Sequence, residues 1–298
     1  MTKRKIKKTN FTIFIIFLIM LVVSITFSLK KLNNTKTKNT TKVENKVLSE
    51  KENKLNKLNN IDHKLDYFNY DYLDRYLAYK EKNPTLTNEK IVIYVNMGLD
   101  NKYYTNTKKT KDLNKDYILV NKYNYLTEDY IPANLENISL EYGRSGMKLI
   151  SHAKLAFEKM AADAKKENMT ILATSSYRSY EYQVNLYNKY EQTDGKIAAD
   201  TYSARPGFSE HQTGLAVDVH NDEKTFTEFE STKEFTWMQN NAYKYGFILR
   251  FPKDKVNETG YTYEAWHYRY VGKKIAEYIQ KHQISFEEYY VKFIENKM

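Results

Sequence analysis

The stretch SARPGFSEHQTGLAVDVH, residues 203–220, carries the pattern from which the rest of the chain can be read. Its end, GLAVDVH, reads as a short strand. Alternation puts Leu215, Val217 and Val219 on one face and Ala216, Asp218 and His220 on the other. A carboxylate with a valine on each side is costly to bury unless a cation or strong donors compensate it. A metal ion is one such compensation, and backbone donors in a turn are the other. His211 lies between Gly207 and Gly214 just upstream, and His220 shares the strand face of Asp218, so both stand as candidate partners for that carboxylate.

On either side of this strand, helical and extended patterns interleave. MKLISHAKLAFEKMAADAKKEN (147–168) has apolar residues at three- and four-residue spacing, including Ala153, Phe157 and Met160, and reads as a helix. MTILATSSYRS (169–179) reads as a strand running into a loop, and YEYQVNLYNKYEQ (180–192) as a helix. TKEFTWMQNNAYKYG (232–246) is a helix stopped by Gly246, the usual residue for a left-handed cap. FILRF (247–251) and EAWHYRYV (264–271) are strands, and residues 273–284 and 285–296 are closing helices. Upstream, residues 66–80 read as a short helix, and KIVIYVNM (90–97) and YILVNKYNYL (117–126) as strands. The elements lack the regular rhythm of parallel βαβ units, so the fold class expected is α+β, a small antiparallel sheet flanked by helices.

Two further segments place polar groups where they need explaining. In YEAWHYRYVG (263–272), His267 sits among large aromatics with Glu264 three residues before it. An unbroken strand would send these two side chains to opposite faces. If both serve one site, the chain turns between them and His267 begins the strand. In TSSYRSYEYQ (174–183), Arg178 follows an apolar strand and precedes a helix, a setting for a loop ion pair or for a cation aimed at a substrate carboxylate or developing oxyanion.

Composition narrows the function classes. The 298-residue chain has no cysteine, so disulfides, thiolate nucleophiles and Cys-based metal sites are excluded. Its net charge of +10 is concentrated at the start: residues 1–60 carry +11 and the remainder −1. Nucleic acid is therefore not an expected partner. Residues 11–29, FTIFIIFLIMLVVSITFSL, are uncharged and long enough to span a bilayer's hydrocarbon core. The basic MTKRKIKKTN precedes them, and no small-residue cleavage site follows, as expected for an uncleaved signal anchor. Residues 30–60 are polar and free of aromatics, a composition suited to a flexible tether, with helix expected near Val43–Leu58.

Together SSYRS, SEHQTGLAVD and EAWHYRYVG, in that order, resemble the signatures of the VanY-type D-alanyl-D-alanine carboxypeptidases, the M15 metallopeptidases. The resemblance spans residues 115–280 and implies a Hedgehog/DD-peptidase-like fold. It implies Zn2+ as cofactor with His211, Asp218 and His267 as ligands, Glu264 as general base and Arg178 as transition-state stabiliser. Ser209 and Gln183 match positions that line the substrate pocket. His220 receives no role, and His63, His152 and His282 are read as structural or surface residues.

The organisation expected is a cytoplasmic basic leader (1–10), a transmembrane signal anchor (11–29), a polar stalk (30–60), an accessory region (61–114) and a zinc peptidase domain (115–298). That places a single-pass protein in the cell membrane with its catalytic domain outside the cytoplasm. The activity implied is removal of the C-terminal D-Ala from peptidoglycan stem peptides. An LD-carboxypeptidase or peptidoglycan endopeptidase shares the same zinc site, and an inactive cell-wall-binding protein is the alternative of another class.

Overall fold

The computed structural model describes residues 20–32, 46–222 and 226–295. It divides into two compact units, residues 1–62 and 63–298. In the first, residues 20–32 and 46–57 are helical, the second of these within the stretch expected to be helical. Among the described residues no helix is long and apolar enough to cross a membrane. The basic leader, residues 11–19 of the expected span and residues 33–45 of the expected stalk lie outside the described residues.

The second unit opens with helices α1 (Leu73–Lys82) and α2 (Asn88–Asn96), which pack on each other. Helix α2 corrects the strand expected at 90–97. Thr87 Oγ1 accepts the Lys90 N–H at 3.2 Å and caps the helix start. Ile91, Val92, Ile93 and Val95 are all buried. A short helix with neighbours on more than one side buries a continuous apolar run as a central strand does, so periodicity alone could not separate the two.

Strands β1 (Lys108–Lys109) and β2 (Asn124–Tyr125) form a short parallel pair. The long strand expected over 117–126 shrinks to this β2. Its alternation is real, but it serves two different clusters: Ile118 and Val120 enter the main core, while Leu119 packs under the closing helices. No ladder forms at 116–118, because the Arg269 guanidinium donates to the carbonyls of Asp116 and Ile118, both at 2.9 Å. Strand β3 (Leu135–Asn137) pairs antiparallel with β4 (Lys148–Ile150), which takes the first residues of the expected 147–168 helix. Helix α3 (Ser151–Lys166) follows.

Next come β5 (Leu172–Ser175), α4 (Tyr180–Asp194), α5 (Lys196–Tyr202) and β6 (Ala216–His220). After them run α6 (Lys233–Asn241), β7 (Phe247–Leu249), α7 (Val256–Thr259), β8 (His267–Tyr270), α8 (Lys273–His282) and α9 (Phe286–Phe293). The short helices α5 and α7 have no counterpart in the sequence reading. The main sheet has the order β5-β6-β8-β7, antiparallel throughout. The α+β class with a small antiparallel sheet is thus the observed one.

One face of this sheet forms the core. Leu215, Val217 and Val219 pack with Phe157, Met160 and Ala161 of α3, and the Phe157 ring meets Phe247 edge-on at 6.1 Å. Fully burying a side chain such as Phe157 stabilises the fold by about 1.5–3 kcal/mol. Gly246, at φ +92°, ends the turn after α6 and lets the chain reverse directly into β7. A side chain there would stand 2.8 Å from the Tyr270 ring and 3.2 Å from the Gly272 backbone. The opposite face of the sheet carries Asp218, and the site forms there.

Candidate metal centre

The register of the two central strands creates the first pair. Asp218 on β6 stands directly opposite His267 on β8, so both side chains rise from the same face of the sheet. His267 Nδ1 lies 2.9 Å from Asp218 Oδ1. His211 reaches the pair from a 3-10 turn, Glu210–Thr213, that Gly214 closes at φ +69°. Its Nε2 lies 3.4 Å from Asp218 Oδ2. One ligand atom from each of the three residues falls within 4.8 Å of the others, and all three residues are buried.

The expected turn before β8 is present. The His267 N–H points back to the Glu264 carbonyl at 3.4 Å, and the strand starts at His267. The Glu264 N–H in turn donates to the Phe251 carbonyl at 3.1 Å. This brings Glu264 Oε2 to 3.9 Å from His267 Nδ1.

Electrostatics divide the roles. His211 Nδ1 donates to the Ser176 carbonyl at 2.7 Å, because a carbonyl can only accept; Nε2 is therefore the bare nitrogen. That Nε2 is buried without a hydrogen-bond partner. Burial, helped by the Arg178 charge, lowers the His211 pKa to about 4, which keeps the ring neutral. Burial alone would raise the Asp218 carboxyl, but His211 and His267 beside it hold it well below the usual range. Burial also works against a charge on His267, yet Asp218 and Glu210 outweigh it and raise the ring to about 9. Metal binding at His267 requires that proton to leave. Glu264 moves the other way: burial pushes its carboxyl up to about 7, the range suited to a group that both takes and returns a proton.

A neutral imidazole with an orphaned buried nitrogen, an ionised carboxylate and a second imidazole form a nitrogen-and-oxygen donor set that fits a zinc-type cation with an open position. Arg178 lies alongside. Its guanidinium donates to Asp218 Oδ2 at 3.2 Å and to Gln183 Oε1 at 3.1 Å, and its Nε is buried without a partner.

A cavity of about 520 Å³ lies over this face, lined among others by Arg178, Gln183, Ser209, His211, Asp218, Glu264 and His267. The seven residues singled out in the sequence therefore share one cavity. Gln183 also has a structural task, since its Nε2 donates to the Ala204 carbonyl at 2.7 Å while its Oε1 holds Arg178. His220 stands outside the donor set: its Nδ1 accepts the Asp222 N–H at 2.9 Å and its ring stacks on Phe229. His152 contacts Asp116 at 2.6 Å and His282 stacks on Tyr278, both exposed.

A layer beneath the donor set completes the site, and no motif marks its residues out. Phe251 stacks on the His267 ring at 4.8 Å. Glu210, Arg250 and Arg269 are buried next to it. The signal for these was the same one that picked out Asp218: Arg250 and Arg269 are charges inside apolar and aromatic strands, and such charges require partners.

Comparison with known proteins places this site in a class. The D-alanyl-D-alanine carboxypeptidase family VanY matches residues 146–273. The Bacillus subtilis protein YodJ is 40% identical over 208 residues, 65% of this chain and 76% of its own. The solved LdcB LD-carboxypeptidase is 40% identical with a TM-score of 0.55, covering 58% of this chain and 85% of that one. The vancomycin-resistance D,D-pentapeptidase VanY, solved with Zn(II), is 33% identical with a TM-score of 0.51, covering 58% and 98%. Fold and site define a metallopeptidase. The chain belongs to the VanY family of D-alanyl-D-alanine carboxypeptidases.

Proposed function

We propose that this protein is a zinc-dependent DD-carboxypeptidase that removes the terminal D-Ala from peptidoglycan stem peptides, with His211, Asp218 and His267 holding the metal. The observation that carries the reading is the buried donor set of those three residues with Glu264 beside it in one cavity. A zinc ion held there supplies Lewis acidity toward a carbonyl and makes a water molecule more acidic.

The chain's own groups do the rest. Glu264 accepts a proton from the attacking water at a carboxylate oxygen, and returns it to the amine nitrogen that leaves. Its pKa of about 7 lets it do both near neutral pH. Arg178, pinned by Gln183 and Asp218, holds its guanidinium at the cavity wall, where it stabilises developing negative charge on the scissile carbonyl oxygen. Ser209 and Gln183 line the pocket that receives the peptide. The near-neutral charge of the part beyond residue 60 suits a small peptide better than a polyanion.

A second reading, LD-carboxypeptidase, is favoured by the 40% identity to LdcB. Defined tetra- and pentapeptide stems, incubated with and without chelator and followed by mass, decide between them. Chelator-sensitive loss of D-Ala from the pentapeptide is expected. Release from the tetrapeptide alone would overturn the DD assignment, cleavage of a cross-linked dimer would add endopeptidase activity, and no release from any substrate would favour an inactive wall-binding protein.

The apolar run 11–29 supports a single-pass anchor that leaves the catalytic unit outside the cytoplasm. Membrane fractions should hold the full-length chain and release it to detergent, not to salt. Salt extraction would point to peripheral attachment.

A further inference from the structure

We propose that Glu210 is a positioning residue that sets the tautomer of His267 and, through Arg250, ties the metal centre to the C-terminal helix α9. This rests on His267 being a metal ligand. Glu210 Oε2 and His267 Nε2 face each other at 3.6 Å, and both are buried atoms without a hydrogen-bond partner. An approach of a few tenths of an ångström satisfies both. A carboxylate can only accept, so in the metal-free site Nδ1 donates to Asp218 at 2.9 Å while Nε2 turns its own N–H toward Glu210. With a metal in place of the Nδ1 proton, contact with Glu210 would keep the remaining proton on Nε2 and leave Nδ1 as the donor atom.

Glu210 is itself fixed from behind. Its Oε1 accepts from Arg250 Nε at 2.8 Å and Arg269 Nη1 at 3.1 Å. Arg250 is held on its other edge by both oxygens of Glu287, at 2.9 and 2.5 Å, and Glu287 belongs to α9. All four residues are buried. Glu287 lies beyond residues 146–273, so the chain that orients His267 extends outside the part matched by the family. Burying this many charges is weak evidence for stability, whereas fixing one geometry is a recognised role for such a network.

Glu210→Gln tests the inference with little change of volume. The amide can still accept from the two arginines through its oxygen, but it then turns an N–H toward His267 Nε2, which favours the Nδ1–H tautomer. Zinc affinity, measured by chelator competition, should fall about 10–100-fold. In zinc-loaded wild type, 15N shifts of the His267 ring should show Nε2 protonated and Nδ1 bare, a readout that needs no variant to fold.

Unchanged zinc affinity in a folded Glu210→Gln protein, or Nδ1 protonated in the zinc-loaded wild type, overturns the positioning role while leaving the metal centre standing. Wild type that binds no zinc overturns the metal reading, and the positioning role with it.

Discussion

Replacing Glu264 with glutamine should make the protein more stable and far less active, and the balance should depend on pH. Burial raises the Glu264 carboxyl from an ordinary 4.5 to about 7. Below pH 4.5 the group is protonated in both the folded and unfolded chain and has no effect. Between pH 4.5 and 7 the unfolded chain ionises first, so folding becomes progressively less favourable. Above pH 7 both states are ionised and the full penalty applies. At about 1.4 kcal/mol per pKa unit, that penalty is about 3 kcal/mol. Urea unfolding of the chelated proteins, followed by circular dichroism, should give equal stabilities near pH 4. At pH 8, Glu264→Gln should be ahead by about 3 kcal/mol. The zinc-loaded variant should lose about 10²–10⁴-fold in kcat, the usual contribution of a positioned proton-transfer group. A stability difference that does not vary with pH, or a variant less stable than wild type at pH 8, would refute burial as the cause of the raised pKa.

Three further outcomes are expected. Arg178→Ala should fold and bind metal but lose about 10²–10³-fold in kcat, the loss typical of one oxyanion donor; a change in KM alone would reassign Arg178 to substrate binding. Asp218→Asn should lower the zinc content of the purified protein from one ion per chain toward zero, as read by elemental analysis, since a neutral amide replaces the carboxylate of the donor set. Gly246→Ala should destabilise by about 2–4 kcal/mol, from a positive φ unfavourable to alanine and from crowding against Tyr270 and Gly272. A thermal midpoint equal to wild type would mean that this turn relaxes.

The candidate site was more legible in the sequence than the fold around it, for physical reasons. Asp218 announced itself because a carboxylate between valines is costly whatever surrounds it. The turn between Glu264 and His267 followed from strand geometry alone, once both were required on one side. Glu210 was quoted within the same motif and passed over, because what gives it meaning arrives from Arg250, Arg269 and Glu287, 40 to 77 residues further along. Elements failed where periodicity was ambiguous or where the partner was a side chain. Residues 90–97 are apolar enough to suit a buried strand or a buried helix. The carbonyls of Asp116 and Ile118 are met by a guanidinium, which no pattern within 117–126 encodes.

The pairing of Asp218 with His267 across β6 and β8 makes metal binding a test of strand alignment. A slip of one residue between these strands would send one of the two side chains to the far face of the sheet. Misaligned chains would therefore lack a complete donor set. Because binding favours only the species that can bind, an ion taken up there would draw the population toward correctly aligned molecules during folding. A metal held by this donor set would thus act as a proofreader of the sheet that builds the site.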